Sequence, residues 1–250
     1  MERVLGKLLK RSRNGLSMRS QILRRLGSTA PPRFAGVRLS APDHATSWDT
    51  VGEISSGAYA LRGLEPQPGD EVIDIGANVG VFALWATHRG ATVTAYEPAP
   101  ATFAHLVANT YGRSVTPIQS AVVGKPTVAG TVRLYLHERR STRHTLLGHE
   151  IGTGEPLEHH VDVVAVSIGD VLGDGCDLLK IDCEGGEFAI FREMKFDALR
   201  NVRRVVLEFH RSAGDPEQLL TRLRDAGFDA NFLSGHDEGE AFGVIGAIRQ

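Results

Sequence analysis

The chain has 250 residues, is 42% hydrophobic and 23% charged, and carries a formal net charge of −2. This composition suits one sizeable soluble domain with its own core and gives no general basis for nucleic-acid binding. No window approaches the roughly 18 consecutive apolar residues of a membrane span. The two cysteines, Cys176 and Cys183, argue against a disulfide framework or a structural zinc and fit a reducing cytoplasm.

Charge is uneven along the chain. Residues 1–27 hold eight Lys/Arg (Arg3, Lys7, Lys10, Arg11, Arg13, Arg19, Arg24 and Arg25) against one acid, Glu2, so the remainder is net acidic. Val4, Leu5, Leu8 and Leu9, then Ile22, Leu23 and Leu26, give this arm a partly helical apolar spacing without the uninterrupted run of a secretory signal. Three readings stand for it: a solvated or disordered segment, a helix docking on its own domain or a partner, and peripheral contact with an anionic membrane. Residues 28–50 are rich in breakers and read as a linker with one short strand at Phe34–Leu39. The chain thus divides into a basic arm and linker, 1–50, and a single domain, 51–250.

Ile54, Tyr59, Leu61 and Leu64 predict a helix over 51–64, and Pro66, Pro68, Gly69 and Asp70 then turn the chain. Val72, Ile73 and Ile75 read as a buried parallel strand. Gly76 and Gly80 bracket a tight turn, and a helix opens with Val81, Phe82, Leu84 and Trp85 and runs to about His88. A second strand, Thr92–Tyr96, closes on Glu97-Pro98. A helix with Phe103, Leu106 and Val107 follows to Asn109, and the third strand is about Val115–Gln119. The order β-α-β-α-β argues for a doubly wound parallel sheet, whose right-handed crossovers place the carboxyl ends of the strands on one ligand-binding edge.

Residues 120–170 break the rhythm. Val128–Leu136 and Val161–Val166 read as extra strands, and 137–160 between them holds five of the ten histidines: His137, His144, His149, His159 and His160. None forms an HExxH or a convincing helical i, i+4 pair, so the stretch reads as polar surface and a candidate lid or substrate loop rather than a metal site. The doubly wound pattern resumes with a strand at Asp177–Asp182, a helix at Phe188–Met194, a strand at Val205–Phe209 and a helix at Pro216–Ala226. Phe228–Leu233 and Phe242–Ile248 then flank a polar turn as a terminal antiparallel hairpin.

Three stretches at the ligand edge carry chemistry. The first is the strand, glycine turn and helix N-terminus at 71–80, with glycines that let a ligand approach the backbone and helix N–H groups as donors. Glu97 lies 21 residues after Gly76, where an acidic side chain accepts hydrogen bonds from both ribose hydroxyls of an adenosine. NAD and S-adenosylmethionine both offer that ribose. A dinucleotide turn wants G-x-G-x-x-G, whereas Asn78 stands at the second glycine and position 81 is Val81, so a pyrophosphate is poorly served. A methionine moiety, with its ammonium and carboxylate, suits Asp74 and a polar backbone better. The second stretch is Lys180-Ile181-Asp182-Cys183-Glu184-Gly185-Gly186-Glu187. Lys180 and Asp182 share a strand face, and Glu187 falls near a helix N-terminus, where the macrodipole favours a carboxylate. The third is Glu208-Phe209-His210, where an imidazole at the ligand edge is a candidate base.

Taken in order, these motifs resemble the FkbM-type family of S-adenosylmethionine-dependent methyltransferases. The matching residues are Val72 to Gly80, Tyr96-Glu97-Pro98, Ser120-Ala121-Val122, Lys180 to Glu187 and Leu207-Glu208-Phe209-His210, across roughly 50–233. The resemblance implies an α/β, Rossmann-like class I methyltransferase fold: a mostly parallel seven-stranded sheet with a C-terminal antiparallel hairpin and an inserted loop and strand region. It implies S-adenosyl-L-methionine as cofactor, S-adenosyl-L-homocysteine as product, and methyl transfer usually to a hydroxyl oxygen. Carried over by position, Asp74, Gly76, Asn78, Val79 and Gly80 hold the methionine part, Glu97 the ribose, and Ser120 and Ala121 lie near the adenine, with Asp182 bordering the cofactor. The acceptor's proton is assigned to His210 or Asp182, with Glu184 and Glu187 holding the acceptor or supporting the base. No metal is expected, although clustered carboxylates suit a magnesium-assisted variant.

Ser167, Ile168 and Gly169 stand where the family commonly has Thr-Leu-Asp before Asp170, which leaves the acceptor open among a small molecule, a sugar and a glycan- or lipid-linked hydroxyl. Two competing functions are a noncatalytic adenosyl-ligand or partner-binding module and a nicotinamide-dependent oxidoreductase.

Overall fold

The computed structural model describes residues 33–42, 50–52, 54, 63–137, 140–149, 152–235, 237 and 239–250. The basic arm 1–27 and most of the helix expected at 51–64 lie outside them. Residues 50–52 and 54 are helical, while Gly63 and Leu64 already form a turn.

A short hairpin, β1 (Arg33–Phe34) and β2 (Val37–Arg38), precedes the first core strand, β3 (Glu71–Ile75). Then come α1 (Val81–His88), β4 (Thr92–Tyr96), α2 (Pro100–Thr110) and β5 (Val115–Ile118). The insertion supplies β6 (Ala121–Val123), β7 (Thr131–Tyr135) and β8 (His160–Ser167), and the short α3 (Ile168–Leu172) leads back. The chain ends with β9 (Cys176–Ile181), α4 (Gly186–Glu193), β10 (Val202–His210), α5 (Pro216–Asp225), β11 (Phe228–Ser234) and β12 (Phe242–Arg249).

Seven strands form the central sheet in the order β11-β12-β10-β9-β3-β4-β5. The pairs β10–β9, β9–β3, β3–β4 and β4–β5 are parallel, and β12 runs antiparallel to both β10 and β11. This is the Rossmann-like sheet with one reversed strand that the terminal hairpin predicts. Side-chain alternation loads its two faces separately. Val72, Val93, Leu178 and Val206 join Leu84 of α1 and Leu106 of α2 in one core. Ile73, Leu179, Val205 and Leu207 join Phe188 and Phe191 of α4 and Leu219 and Leu223 of α5 in the other. Leu178 and Leu179, both 0% exposed, bury consecutive positions on opposite faces, as a central parallel strand requires.

Two expected strands differ in form. The one expected at 34–39 is the β1–β2 hairpin, because Ala35 (φ 46°) and Gly36 (φ 82°) reverse the chain between its arms. Its tail packs on the domain: Leu39 is buried, Ser40 N–H donates to Asn109 Oδ1 at 2.7 Å, and Asn109 Nδ2 donates to the carbonyls of Ser40 and Val79 at 2.8 Å. The one expected at 128–136 starts only at Thr131, after Gly130 turns the chain at φ 67°. The insertion also contains β6, which pairs parallel with β8 while β7 pairs antiparallel with it. This small sheet has a core of Ala99, Ala121, Leu134 and Val163 and follows directly from the carboxyl end of β5.

Register aligns the ligand edge. Ile75 pairs with Tyr96 and Ile181, and Ile181 with Leu207. The next residue of each strand path, respectively Gly76, Glu97, Asp182 and Glu208, therefore stands in one row along that edge. Among the described residues no helix is long and apolar enough to cross a membrane.

Candidate active site

The glycine turn is a rigid wall whose donors are already engaged. Gly76 and Ala77 N–H both donate to Tyr96 O, at 3.0 and 2.9 Å. Asn78 N–H donates to Glu97 Oε2 at 3.0 Å, Val79 N–H to Asn78 Oδ1 at 2.7 Å, and Gly80 N–H to Ala77 O at 2.9 Å. All five amides of 76–80 are satisfied inside the protein, so the turn offers none of them to a phosphate. The sequence reading rejects a pyrophosphate from glycine spacing, and the hydrogen bonds supply the physical reason. Gly76 also permits a contact that no side chain allows: at φ 74°, a Cβ there would lie 1.7 Å from Asp182 O.

Beneath the turn lies Lys180. Asp74 and Lys180 are register partners on β3 and β9 and share the face covered by α1. Lys180 Nζ donates to Gly76 O at 2.8 Å and forms ion pairs with Asp74 Oδ1 at 3.2 Å and Asp182 Oδ2 at 3.5 Å. Burial works against its charge, but Asp74 and Asp182 outweigh that and hold its pKa above the ordinary lysine value. Asp74 is fully buried, and burial raises its pKa while Lys180 pulls it down.

The second charged group surrounds His210, which is 6% exposed. Nδ1 lies 2.7 Å from Oε1 of the fully buried Glu187, and Nε2 lies 3.3 Å from Glu184 Oε2 and 3.8 Å from Glu208 Oε1. Burial disfavours the imidazolium, yet the Glu187 hydrogen bond and the three carboxylate charges push the pKa up to about 10. The surrounding carboxylates thus favour the protonated ring. Glu184 adopts left-handed backbone geometry (φ 50°), and burial raises its carboxyl well above the usual range against the pull of His210.

Two clefts meet over these groups. The first, about 620 Å³, is bordered by Gly76, Asn78, Glu97, Ser120, Ala121, Asp182 and Glu184, with Ser141 to Thr145 of the insertion opposite. The second, about 490 Å³, is bordered by Phe82, Lys180 and Glu208 and shares Gly76, Asn78, Thr142, Asp182 and Glu184 with the first. Glu97 is fixed by two amides, accepting from Asn78 through Oε2 and from Ala99 through Oε1 at 2.9 Å. Burial nevertheless raises its pKa to about 7. Each of its oxygens keeps a lone-pair direction for a further donor.

The structure thus gathers Gly76, Asn78, Glu97, Ser120, Ala121, Asp182 and Glu184 around one cleft. It places Asp74, Val79, Gly80 and His210 behind the walls. Asp74 acts there through Lys180, Val79 is fully buried, and Gly80 lies against Leu106. None of these four residues borders either cleft.

The FkbM methyltransferase domain matches residues 74–230 of the chain. The 31-O-demethyl-FK506 methyltransferase FkbM of Streptomyces tacrolimicus is 32% identical over 203 residues, covering 68% of this chain and 76% of that protein. The chain belongs to the FkbM methyltransferase family. Methyltransferase 1 of Beauveria bassiana is 28% identical over 186 residues, covering 66% of this chain and 75% of its own. Among solved structures, magnesium protoporphyrin IX methyltransferase of Synechocystis PCC 6803 with bound S-adenosylmethionine aligns over 94% of this chain and 92% of that one, at 14% identity and a TM-score of 0.45. This FkbM methyltransferase is an S-adenosylmethionine-dependent enzyme, which sets aside the noncatalytic and nicotinamide-dependent readings.

Lys180, Glu187 and Glu208, which the sequence offered only as members of their motifs, form the charged groups beside the clefts, and Thr142 and Thr145, not among the residues read from the sequence, border the first cleft. Strand alternation, two positions back from Asp182 and from His210, points to Lys180 and Glu208. No local pattern singles out the threonines. The five histidines of 137–160 form no metal-binding group among the described residues. His144 instead accepts a hydrogen bond from His137 N–H and borders the first cleft.

Thr145 joins the insertion to the FkbM site. Its buried hydroxyl donates to Glu184 O at 2.7 Å. Thr145→Val is expected to cost about 1–2 kcal/mol, because it leaves that carbonyl without its donor. Urea unfolding checks this, and Thr145→Ser should recover most of the loss.

Proposed function

We propose that this protein transfers a methyl group from S-adenosylmethionine to a hydroxyl oxygen of a neutral, hydroxyl-rich acceptor: a small molecule, a sugar, or a sugar on a larger carrier. The observation that carries the reading is the meeting of two clefts at Asp182 and Glu184. The first cleft suits the cofactor. Glu97 has spare acceptor capacity for ribose hydroxyls, Gly76 and Asn78 border the methionine part, and Ser120 and Ala121 border the adenine. The surrounding ion pairs set five carboxylates (Asp74, Asp182, Glu184, Glu187 and Glu208) against two cations, Lys180 and His210. This balance favours a ligand bearing a sulfonium and an ammonium.

The bound cofactor supplies an electrophilic methyl on its sulfonium. The chain's own residues do the rest by positioning and proton acceptance. An aliphatic hydroxyl attacks well only as its proton leaves, and Asp182 and Glu184 are the carboxylates facing both clefts. The carboxylates around His210 favour its protonated form, so we assign it a positioning role that keeps Glu184 and Glu208 in place. The same carboxylates accept hydrogen bonds from acceptor hydroxyls and repel phosphate or carboxylate groups near the reacting oxygen. Leu39 and Ser40 pack on the core, so we place the start of the methyltransferase domain near residue 33 instead of 51.

The test is transfer of labelled methyl to a panel of neutral glycosides and polyols, with the product's methyl position found by mass spectrometry and NMR. Methyl on nitrogen or carbon, or no transfer by protein that binds S-adenosylhomocysteine, would overturn the reading. The ribose role of Glu97 has its own signature. Ribose hydroxyls donate to the ionised carboxylate, so binding S-adenosylhomocysteine opposes protonation. With the carboxyl near 7, affinity should fall about tenfold from pH 8 to pH 6. Glu97→Gln should weaken binding about tenfold at pH 8 and flatten that pH dependence. Isothermal titration at both pH values checks both effects.

A further inference from the structure

We propose that Thr142, a residue of the inserted region, is the hydrogen-bond donor that orients the acceptor's hydroxyl where the two clefts meet, and so selects which hydroxyl is methylated. The role rests on the methyl-transfer reading above. Thr142 lies in the single turn Ser141–Arg143 and borders both clefts. The clefts also share Gly76, Asn78, Asp182 and Glu184, which all belong to the turns after β3 and β9. An acceptor at this junction therefore lies between the sheet edge and the insertion. The turn that carries Thr142 is fastened to that edge. Tyr135 and Thr145 exchange both backbone hydrogen bonds, at 2.8 and 3.1 Å, and Arg143 N–H donates to Arg140 O at 3.1 Å. The Thr145 hydroxyl then donates to Glu184 O at 2.7 Å. Thr142 and a carboxylate that takes the acceptor's proton are thus tied together through a short stretch of chain.

The valences of the reacting oxygen call for such a donor. An alcohol oxygen carries one proton and two lone pairs. Its proton leaves to Asp182 or Glu184. One lone pair forms the oxygen–methyl bond as the methyl–sulfur bond breaks and leaves its electrons on sulfur. The second lone pair holds the hydroxyl in one orientation only if a donor meets it. Lys180 is already committed, since the three protons of Nζ face Gly76 O, Asp74 and Asp182. Asn78 commits Oδ1 to Val79 N–H and borders the methionine part in the same reading. Asp182 and Glu184 act ionised and accept only. The half-buried Thr142 hydroxyl makes no hydrogen bond to the protein among the described residues, so its proton is available to the acceptor. Thr142 keeps that proton throughout the transfer and acts by orientation alone.

The experiment compares the full chain with Thr142→Val and Thr142→Ser, using the neutral glycoside of the panel above that the unmodified protein methylates fastest. Valine keeps the shape and removes the donor, whereas serine keeps the donor and removes a methyl group. Thr142→Val should lower kcat/KM for the glycoside about tenfold while S-adenosylhomocysteine affinity changes less than about threefold, and Thr142→Ser should recover most of the loss. Thr142→Val should also spread the methyl over more than one hydroxyl of the glycoside, which NMR of the product reads. A residue that only fills space gives the reverse order, with the valine variant active, the serine variant impaired and the methyl position unchanged, and that result overturns the proposal. A loss of S-adenosylhomocysteine affinity as large as the loss of kcat/KM also overturns it, by placing Thr142 against the cofactor. Transfer that is insensitive to Thr142→Val removes this role alone. Absence of transfer by the unmodified protein removes the methyl-transfer reading and the role together, so the two failures are told apart.

Discussion

Asp182→Asn is expected to lower methyl transfer by about 10²–10⁴-fold, the range of a lost general base, while S-adenosylhomocysteine affinity changes less than about threefold. The substitution keeps the shape and an oxygen that accepts from Lys180 Nζ, which lies 3.5 Å from the carboxylate. It removes the negative charge, and with it the proposed proton acceptor, at the junction of the two clefts. Main-chain support at this position is untouched, since Asp182 N–H still donates to Ile75 O. The loss should therefore appear in kcat with cofactor binding intact. Full turnover by the variant would remove Asp182 from the chemistry.

Lys180→Met is expected to destabilise the protein by about 3–5 kcal/mol at pH 8, the usual cost of breaking a buried ion pair from one side. Methionine fills the space but leaves Asp74, fully buried, without its register partner's charge. It also removes the donor to Gly76 O. The sign of the pH dependence follows from Asp74. Burial already raises its folded-state pKa above the unfolded value, and removing Lys180 deletes the main opposing influence. A carboxyl with a raised folded pKa holds its proton more tightly in the native state. Its contribution is present at low pH and is lost as pH rises through the folded pKa. The deficit of the variant against the unmodified protein should accordingly narrow from pH 8 to pH 5. Urea unfolding at both values measures it. An equal deficit at both pH values would place the damage elsewhere than Asp74, and unchanged stability at pH 8 would dismiss the buried pair as a stabilising feature.

The frame of the domain was readable because its signals are local. Val72, Ile73 and Ile75 before Gly76, Thr92 to Tyr96 before Glu97, and the strand leading to Asp182 each announce a strand and its ligand-edge residue within a few positions. The features that escaped are short or distant. β6 spans three residues, too few for a period to show. The β1–β2 reversal depends on Ala35 in a left-handed conformation, which alanine rarely advertises. Asp74 and Lys180 are partners across 106 positions, and Thr145 reaches Glu184 across 39. His210 illustrates the sharpest limit. Its place at the sheet edge is evident from the strand ending there, but its charge state depends on carboxylates from β10, from α4 and from the turn before α4. Only the assembled neighbours show which charges favour the protonated ring.

The self-satisfied turn at 76–80 separates two kinds of selective pressure. Because its amides are spent on Tyr96, Glu97, Asn78 and Ala77, folding alone is enough to preserve it. A descendant that abandoned methyl transfer would retain Gly76 to keep β3 and β9 together, and could drift first at Asp182, Glu184 or Glu208. The glycine turn therefore answers to the fold, and the acidic residues beyond it answer to the proposed chemistry.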